Sequence, residues 1–327
     1  MKICIIGAGA IGGLLAARLA ENGEDVTIVA RGPQLAAIRD KGLRLIEEDG
    51  SDFSVTPRAV ERLSEVEGQD LVILGMKAHQ VLAIAASVAG MLAPHGLVLT
   101  AQNGIPWWYF CKLGGEHEGR VVESVDPGGG IALHLPVDRV IGSVVYPAAE
   151  IAKPGVIRVI EGNRFSLAEI DNAKTDRVQA VSAVFTAASF KAPVVTDIRA
   201  EIWTKLWGNL SFNPISALTG ATLAGICRNP LTRALAADMM REAQSVGEAL
   251  GVRFRISLEK RLAGAEAVGE HKTSMLQDIE ARRPTEAAAL VGSIIELGQI
   301  VGVPTPKIEA VYALVRGLEE VNAAHVE

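Results

Sequence analysis

The chain of 327 residues is long enough for two domains of ordinary size and a sizeable core. Hydrophobic residues make up 49% and charged residues 21%, a balance that excludes wholesale disorder, collagen and coiled coil. The 32 Lys plus Arg against 38 Asp plus Glu leave a formal net charge of -6, so nucleic acid and membrane are not expected as partners.

Residues 2–6 form a short apolar run closed by glycines, and Ile11, Leu14, Leu15 and Leu19 then recur at helical spacing before Gly23. That order predicts strand, tight turn and helix. The same opening imitates a secretory signal, but Gly7, Gly9, Gly12 and Gly13 would break the helical centre of one. Residues 26–30 read as a second strand and 33–41 as a helix. Residues 70–74 and 97–101 read as buried strands flanking a helix over 81–92. The stretch 81–99 is apolar enough to raise the question of a membrane span, and Gly90, Pro94, His95 and Gly96 divide it well short of one.

From 120 to 168 the runs VVESV, IALHL, VIGSVVY, VIRVI and RFSLAEI read as consecutive strands extending the sheet, followed by a helix over 176–188 and a last strand over 193–195. After Asp197 the strand signal disappears. Helical periodicity runs from Arg199 through 230–250, 275–281, 286–301 and 307–321. The fold class is therefore α/β: an N-terminal Rossmann-type doubly wound sheet with extra strands over 1–197, followed by an all-helical C-terminal domain over 198–327.

Cys4, Cys111 and Cys227 lie far apart, with no CxxC pair and no His at zinc-ligand spacing, which points to reduced thiols, a cytoplasmic location and no metal. GAGAIG, comprising Gly7, Ala8, Gly9, Ala10, Ile11 and Gly12, follows a strand and opens a helix, the context of a dinucleotide-binding loop. Gly7 permits the turn, Gly9 lets backbone approach a pyrophosphate, and Gly12 lets helix and strand pack closely. After the second strand stands Arg31, where NAD-binding chains carry a carboxylate for the ribose hydroxyls. A guanidinium there can grip a 2′-phosphate, so NADP(H) is the expected cofactor.

In EIWTKLWGNLSFNP, residues 201–214, Lys205, Asn209 and Asn213 recur every four residues and fall within roughly an 80° arc of one helix face. Ile202, Trp203, Leu206, Trp207, Leu210 and Phe212 make most of the rest apolar. A lysine in that setting either loses its proton readily, as a general acid near neutral pH requires, or snorkels over a polar seam with the asparagines as caps. Pro214 predicts that the helix ends or kinks at Asn213.

Four separated motifs resemble the ketopantoate reductase family in order: GAGAIG, Met76-Lys77-Ala78, Gln102-Asn103-Gly104, and KLWGNLSFNP at Lys205. The stretch HKTSMLQDIEARRPTE, residues 271–286, is similar to the family's signature in the helical domain. The resemblance implies NADPH-dependent reduction of a small-molecule 2-oxo acid to a 2-hydroxy acid, by analogy ketopantoate to D-pantoate on the way to pantothenate and coenzyme A. It implies Lys205 as general acid and Glu286 as partner of the substrate hydroxyl. Asn103, Asn209, Asn213 and Ser274 would hold substrate, and Lys77 and Asn103 would lie at the nicotinamide end of the cofactor.

Read without the resemblance, Ser274 followed by Gln277 has the spacing of a helix cap, and Glu286 after Pro284 suits a first helical turn. The sequence departs from the family at Gly220-Ala-Thr-Leu223, which lacks an asparagine of the ketopantoate pocket, and at Trp107-Trp108-Tyr109 with Asp126-Pro-Gly-Gly-Gly130. The three aromatics fit either a reshaped substrate cleft or a hydrophobic staple. Rival readings are a reductase of another branched or aromatic 2-oxo acid and a non-catalytic NADP(H)-binding redox sensor. The apolar content of the helical domain permits a homodimer.

Overall fold

The computed structural model describes residues 1–324, and the last three positions of the expected helical domain, 325–327, lie outside them. The chain divides into two compact units. One comprises Met1–Gln102, Phe110–Val121 and Gly128–Ile198, and the other comprises Asn103–Tyr109, Val122–Pro127 and Arg199–Glu327.

The first unit begins with β1 (Lys2–Ile6), α1 (Ala10–Glu21), β2 (Asp25–Val29) and α2 (Gly32–Lys41). Three short strands follow, β3 (Leu43–Ile46), β4 (Asp52–Val55) and β5 (Arg58–Val60), then β6 (Gln69–Leu74), α3 (Ala85–Met91) and β7 (Leu92–Thr100). It continues with α4 (Gly130–His134), β8 (Val140–Val145), β9 (Ala148–Lys153), β10 (Val156–Glu161), β11 (Phe165–Glu169) and α5 (Asp176–Ala187). The main sheet runs β11-β8-β7-β6-β1-β2-β5, with Ile3 level with Val26 on one side and Leu71 on the other. All its pairings are parallel except β11 on β8. Its central strands carry continuous apolar runs where both faces are covered, and Ile3, Ile5, Leu71, Ile73 and Leu99 are fully buried.

A second sheet, β4-β3-β10-β9, was not expected. Helix α1 packs against β1 and β2 of the main sheet and also against β3, β4, β9 and β10 of the second. Covered on both sides, it buries Gly12 through Ala17 and Leu19. A Cβ on Gly13 would lie 2.6 Å from Ile157 Cγ1, so this glycine sets how closely the second sheet approaches the helix. VIRVI is thus a strand of the second sheet, whereas VIGSVVY and RFSLAEI extend the main one.

Other expectations fail locally. VVESV forms turns, and IALHL is the short helix α4, led in by left-handed Gly128 and Gly129. Two glycines in that conformation re-aim the chain before the apolar run, which then buries Ile131 as part of a helix turn. Residues 193–195 contribute a single bridge, Leu167 to Val194, instead of a strand. Residues 81–92 hold one tight helical turn, Leu82–Ile84, before α3, which ends at Met91.

The second unit is helical: α6 (Ile198–Thr219), α7 (Leu223–Arg228), α8 (Pro230–Ala249), α9 (Leu258–Ala267), α10 (Ser274–Glu280), one π-helical turn (Ala288–Gly292), α11 (Ser293–Val301) and α12 (Pro306–Ala324). Every apolar residue of the α6 segment noted above is buried. Trp203 and Trp207 pack on Phe254, with ring centroids 6.1 and 4.8 Å away, and the Trp207 indole donates to the Met240 carbonyl at 2.6 Å. Helix α6 does not end at Pro214 but carries it inside and runs on to Thr219. Among the described residues no helix is long and apolar enough to cross a membrane.

Candidate active site

In the first unit, Gly7 has φ +105, and a Cβ on it would lie 3.2 Å from Gly75 and Met76 backbone. A Cβ on Gly12 would fall 1.9 Å from the Gly7 carbonyl oxygen, which only a bare backbone allows. At Gly9 a Cβ would meet nothing within 4 Å. Gly9 is also the N-cap of α1 and carries no capping side chain, so the amides of Ala10, Ile11 and Gly12 open the helix without one. Open ground in front of such a helix end suits a phosphate, and the residues present fit a dinucleotide.

Met76-Lys77 leaves β6 beside this loop, since a Cβ on Gly75 would touch Gly12 Cα at 3.1 Å. Arg31 is exposed one residue past β2 and Ala30, as the N-cap residue of α2. Sequence reading overlooked Gly75, whose only mark is a glycine closing an apolar strand.

In the second unit, Lys205, Asn103 and Glu286 come together from three distant segments. The Lys205 ammonium donates to Asn103 Oδ1 at 2.5 Å, and Asn103 Nδ2 donates to Glu286 Oε2 at 3.0 Å. One amide therefore uses its two ends in opposite senses, its oxygen toward the cation and its nitrogen toward the carboxylate. Burial pushes the Lys205 pKa down from 10.5 to about 8, against the upward pull of Glu286. An amine in this range exchanges its proton readily near neutral pH.

Each member is anchored by its own segment. Lys205 projects from an α6 whose opposite face is locked by the two tryptophans. Glu286 begins the helical segment that includes the π turn, its carbonyl accepting Leu290 N at 2.9 Å. The preceding Thr285 caps Ala287 N at 3.1 Å, and its own N–H is held by Glu319 of α12 at 2.9 Å.

Asn209, half-buried, continues the Lys205 face one turn on, and buried Asn213 another turn on, about 12 Å from Lys205 along the axis. Ser274 is exposed at the start of α10, but the capping side chain is Thr273, which accepts from Leu276 N. The cap reading thus shifts by one residue.

Trp107, Trp108 and Tyr109 do not form an open cleft wall; they are 5%, 0% and 1% exposed. Tyr109 accepts the Trp203 indole N–H on its hydroxyl at 2.7 Å and the Arg199 Nε–H on its carbonyl at 2.9 Å. Tyr109 thereby ties this buried segment to the start of α6. Among the described residues no group of three or more His, Cys, Asp or Glu could hold a metal ion. Burial pushes the Cys4 thiol up to about 12, which keeps it inert within β1.

Together these features define a dinucleotide-binding α/β protein with a lysine–amide–carboxylate cluster in a helical unit. The model for ketopantoate reductase PanE/ApbA matches residues 3–172 and that for its C-terminal part residues 197–319, and the chain belongs to the ketopantoate reductase family. It is 55% identical to the 2-dehydropantoate 2-reductase of Mesorhizobium japonicum, over 97% of this chain and 98% of that one. The crystal structure of a PanE/ApbA family ketopantoate reductase from Ralstonia eutropha superposes with a TM-score of 0.85 at 29% identity, covering 99% and 100% of the two chains. A D-mandelate dehydrogenase solved with NADH and anilino(oxo)acetate shares the fold, with a TM-score of 0.84 at 22% identity, over 99% and 100%.

Proposed function

We propose that this protein is a cytoplasmic, NADPH-dependent 2-oxo acid reductase whose substrate is 2-dehydropantoate and whose product is D-pantoate. The observation that carries the reading is the Lys205–Asn103–Glu286 chain, with an ammonium whose pKa burial lowers to about 8. The full-length likeness to a 2-dehydropantoate 2-reductase supports the choice of substrate.

The cofactor, when bound, supplies the hydride. Reduction of a ketone builds negative charge on its oxygen. Lys205 stabilises that charge as it forms and transfers a proton to it, giving the 2-hydroxy acid and a neutral amine that regains its proton from solvent. Glu286 accepts a hydrogen bond from the substrate hydroxyl. Asn103, Asn209, Asn213 and Ser274 offer amide and hydroxyl donors to the carboxylate without adding a second full charge. The amides of the Gly7 to Gly12 loop would hold the pyrophosphate, Arg31 would take the 2′-phosphate, and Lys77 and Asn103 would lie at the nicotinamide end.

The test is nucleotide oxidation with ketopantoate and a panel of branched and aromatic 2-oxo acids, using NADPH and NADH in parallel. Saturable NADPH turnover with ketopantoate is expected. Turnover with another 2-oxo acid alone replaces the substrate, and an NADH preference overturns the role of Arg31. Nucleotide binding without turnover of any acid reduces the protein to a redox sensor.

A further inference from the structure

The Asn103 amide owes its place to backbone contacts beyond its own side chain. Gly104 has φ +91, and a Cβ there would lie 2.3 Å from the carbonyl oxygen of Ala289 and 2.6 Å from its carbon. The next residue, Ile105, donates its N–H to that same oxygen at 3.0 Å. Ala289 lies within the π-helical turn Ala288–Gly292, three residues after Glu286. A π turn carries one residue more than the α ladder accommodates, which changes which carbonyls the ladder occupies. The Ala289 oxygen serves two donors from outside that ladder: Ile105 N–H and the Ser293 hydroxyl, the latter at 2.7 Å. The backbone carrying Asn103 is thereby fastened to the backbone carrying Glu286, and the Asn103–Glu286 hydrogen bond spans the same junction.

We propose that Gly104, the Ala289 carbonyl and Ser293 form a positioning element that fixes the Asn103 amide with its oxygen on Lys205 and its nitrogen on Glu286. The proposal rests on the reductase reading for its kinetic consequence but not for its geometry. A side chain at 104 meets main chain instead of a flexible side-chain end, so relief requires the loop to move by about 1 Å, and its φ is strained for any L residue. A shift of that size at a proton-transfer site costs on the order of 10²-fold in rate.

A double-mutant cycle between Gly104→Ala and Asn103→Ala tests this. If Gly104 acts through Asn103, Gly104→Ala lowers kcat on the order of 10²-fold, and the double variant loses no more than Asn103→Ala alone. Losses that multiply, or a Gly104→Ala kcat within twofold of wild type, overturn the proposal. The same cycle is read without turnover in the Lys205 titration, followed by NMR of 13Cε-labelled lysine. Gly104→Ala must displace the midpoint as Asn103→Ala does, with no further displacement in the double variant, and an unmoved midpoint overturns the proposal even if no 2-oxo acid is reduced.

Ser293→Ala, which keeps the backbone conformation, serves where Gly104→Ala does not fold. It should lower kcat several-fold and be silent in the Asn103→Ala background, and an effect that persists there overturns the proposal. Gly302→Ala likewise forces a side chain onto a positive φ but with nothing within 4 Å for it to meet, and it should leave kcat at the wild-type value.

Discussion

The glycine loop and the lysine cluster are built by opposite means. Residues 7–12 make a binding surface from backbone alone: a left-handed Gly7, a Gly12 with no room for a Cβ, and open ground at Gly9, all within one turn and one helix start. The Lys205 cluster is made of side chains, and its members meet only after the chain has travelled 102 residues from Asn103 to Lys205 and 183 from Asn103 to Glu286. A local backbone device is broken by adding atoms. A side-chain device assembled over long range is broken by removing them, and it can be broken without disturbing the other.

The strongest separation of the two comes from Lys205→Ala. Removing the amine should lower kcat by about 10²- to 10⁴-fold, because the proton is needed most in the transition state. The dinucleotide Kd, measured by fluorescence titration, should stay within twofold. An unchanged kcat would take the lysine out of the chemistry, and a lost nucleotide affinity would mean that the two regions are not independent.

The pH dependence comes next in size. Lys205 must be protonated to act as an acid, and its pKa is about 8, so kcat for reduction should fall towards a tenfold loss per unit above that pH. The reverse oxidation needs the neutral amine and should rise over the same range. A flat profile for both directions between pH 7 and pH 10 would mean that the step limiting turnover does not involve this proton.

How far each region was legible follows the same division. The glycine loop could be read because strand, glycines and helix are adjacent, and the Lys205 stripe because a spacing of four is a local helical signal. The partnership of Asn103 with Glu286 has no local signal at all, and only the family resemblance put the two residues in one site. The second sheet escaped notice because β3 is only four residues long, too short for the alternation of buried Leu43 and Leu45 around exposed Arg44 to stand out. The reading as strands of VVESV and IALHL followed β-branched and apolar composition and took the glycines between them as breaks between strands, whereas left-handed Gly128 and Gly129 lead the second run into a helical turn.

On the backbone side, Gly9→Ala should raise the dinucleotide Kd by roughly tenfold, about 1.4 kcal/mol, with no change in Tm, since the new methyl group meets only open space. Gly12→Ala should instead cost stability as well as affinity, because its methyl group would meet the Gly7 carbonyl oxygen at 1.9 Å. Calorimetry of the two apo variants beside nucleotide titration distinguishes a glycine kept for the ligand from one kept for the fold. Equal Tm losses would erase that distinction.

The smallest effect is on stability, and its sign is the informative part. Folding moves the Lys205 pKa from 10.5 down to about 8, so between those values the unfolded chain binds a proton that the folded protein does not. Stability therefore rises with pH across that window, and below pH 8 the folded state carries the full cost of the buried ammonium. Lys205→Met removes the cost but leaves the Asn103 oxygen without its donor, so the net gain at pH 7 should be about 1 kcal/mol. The variant should also lack the wild-type increase in stability between pH 8 and pH 10.5 in denaturant titrations. A Lys205→Met protein less stable than wild type at pH 7, with the same pH slope, would show that the lysine serves the fold and that the helical unit gives up no stability to hold it.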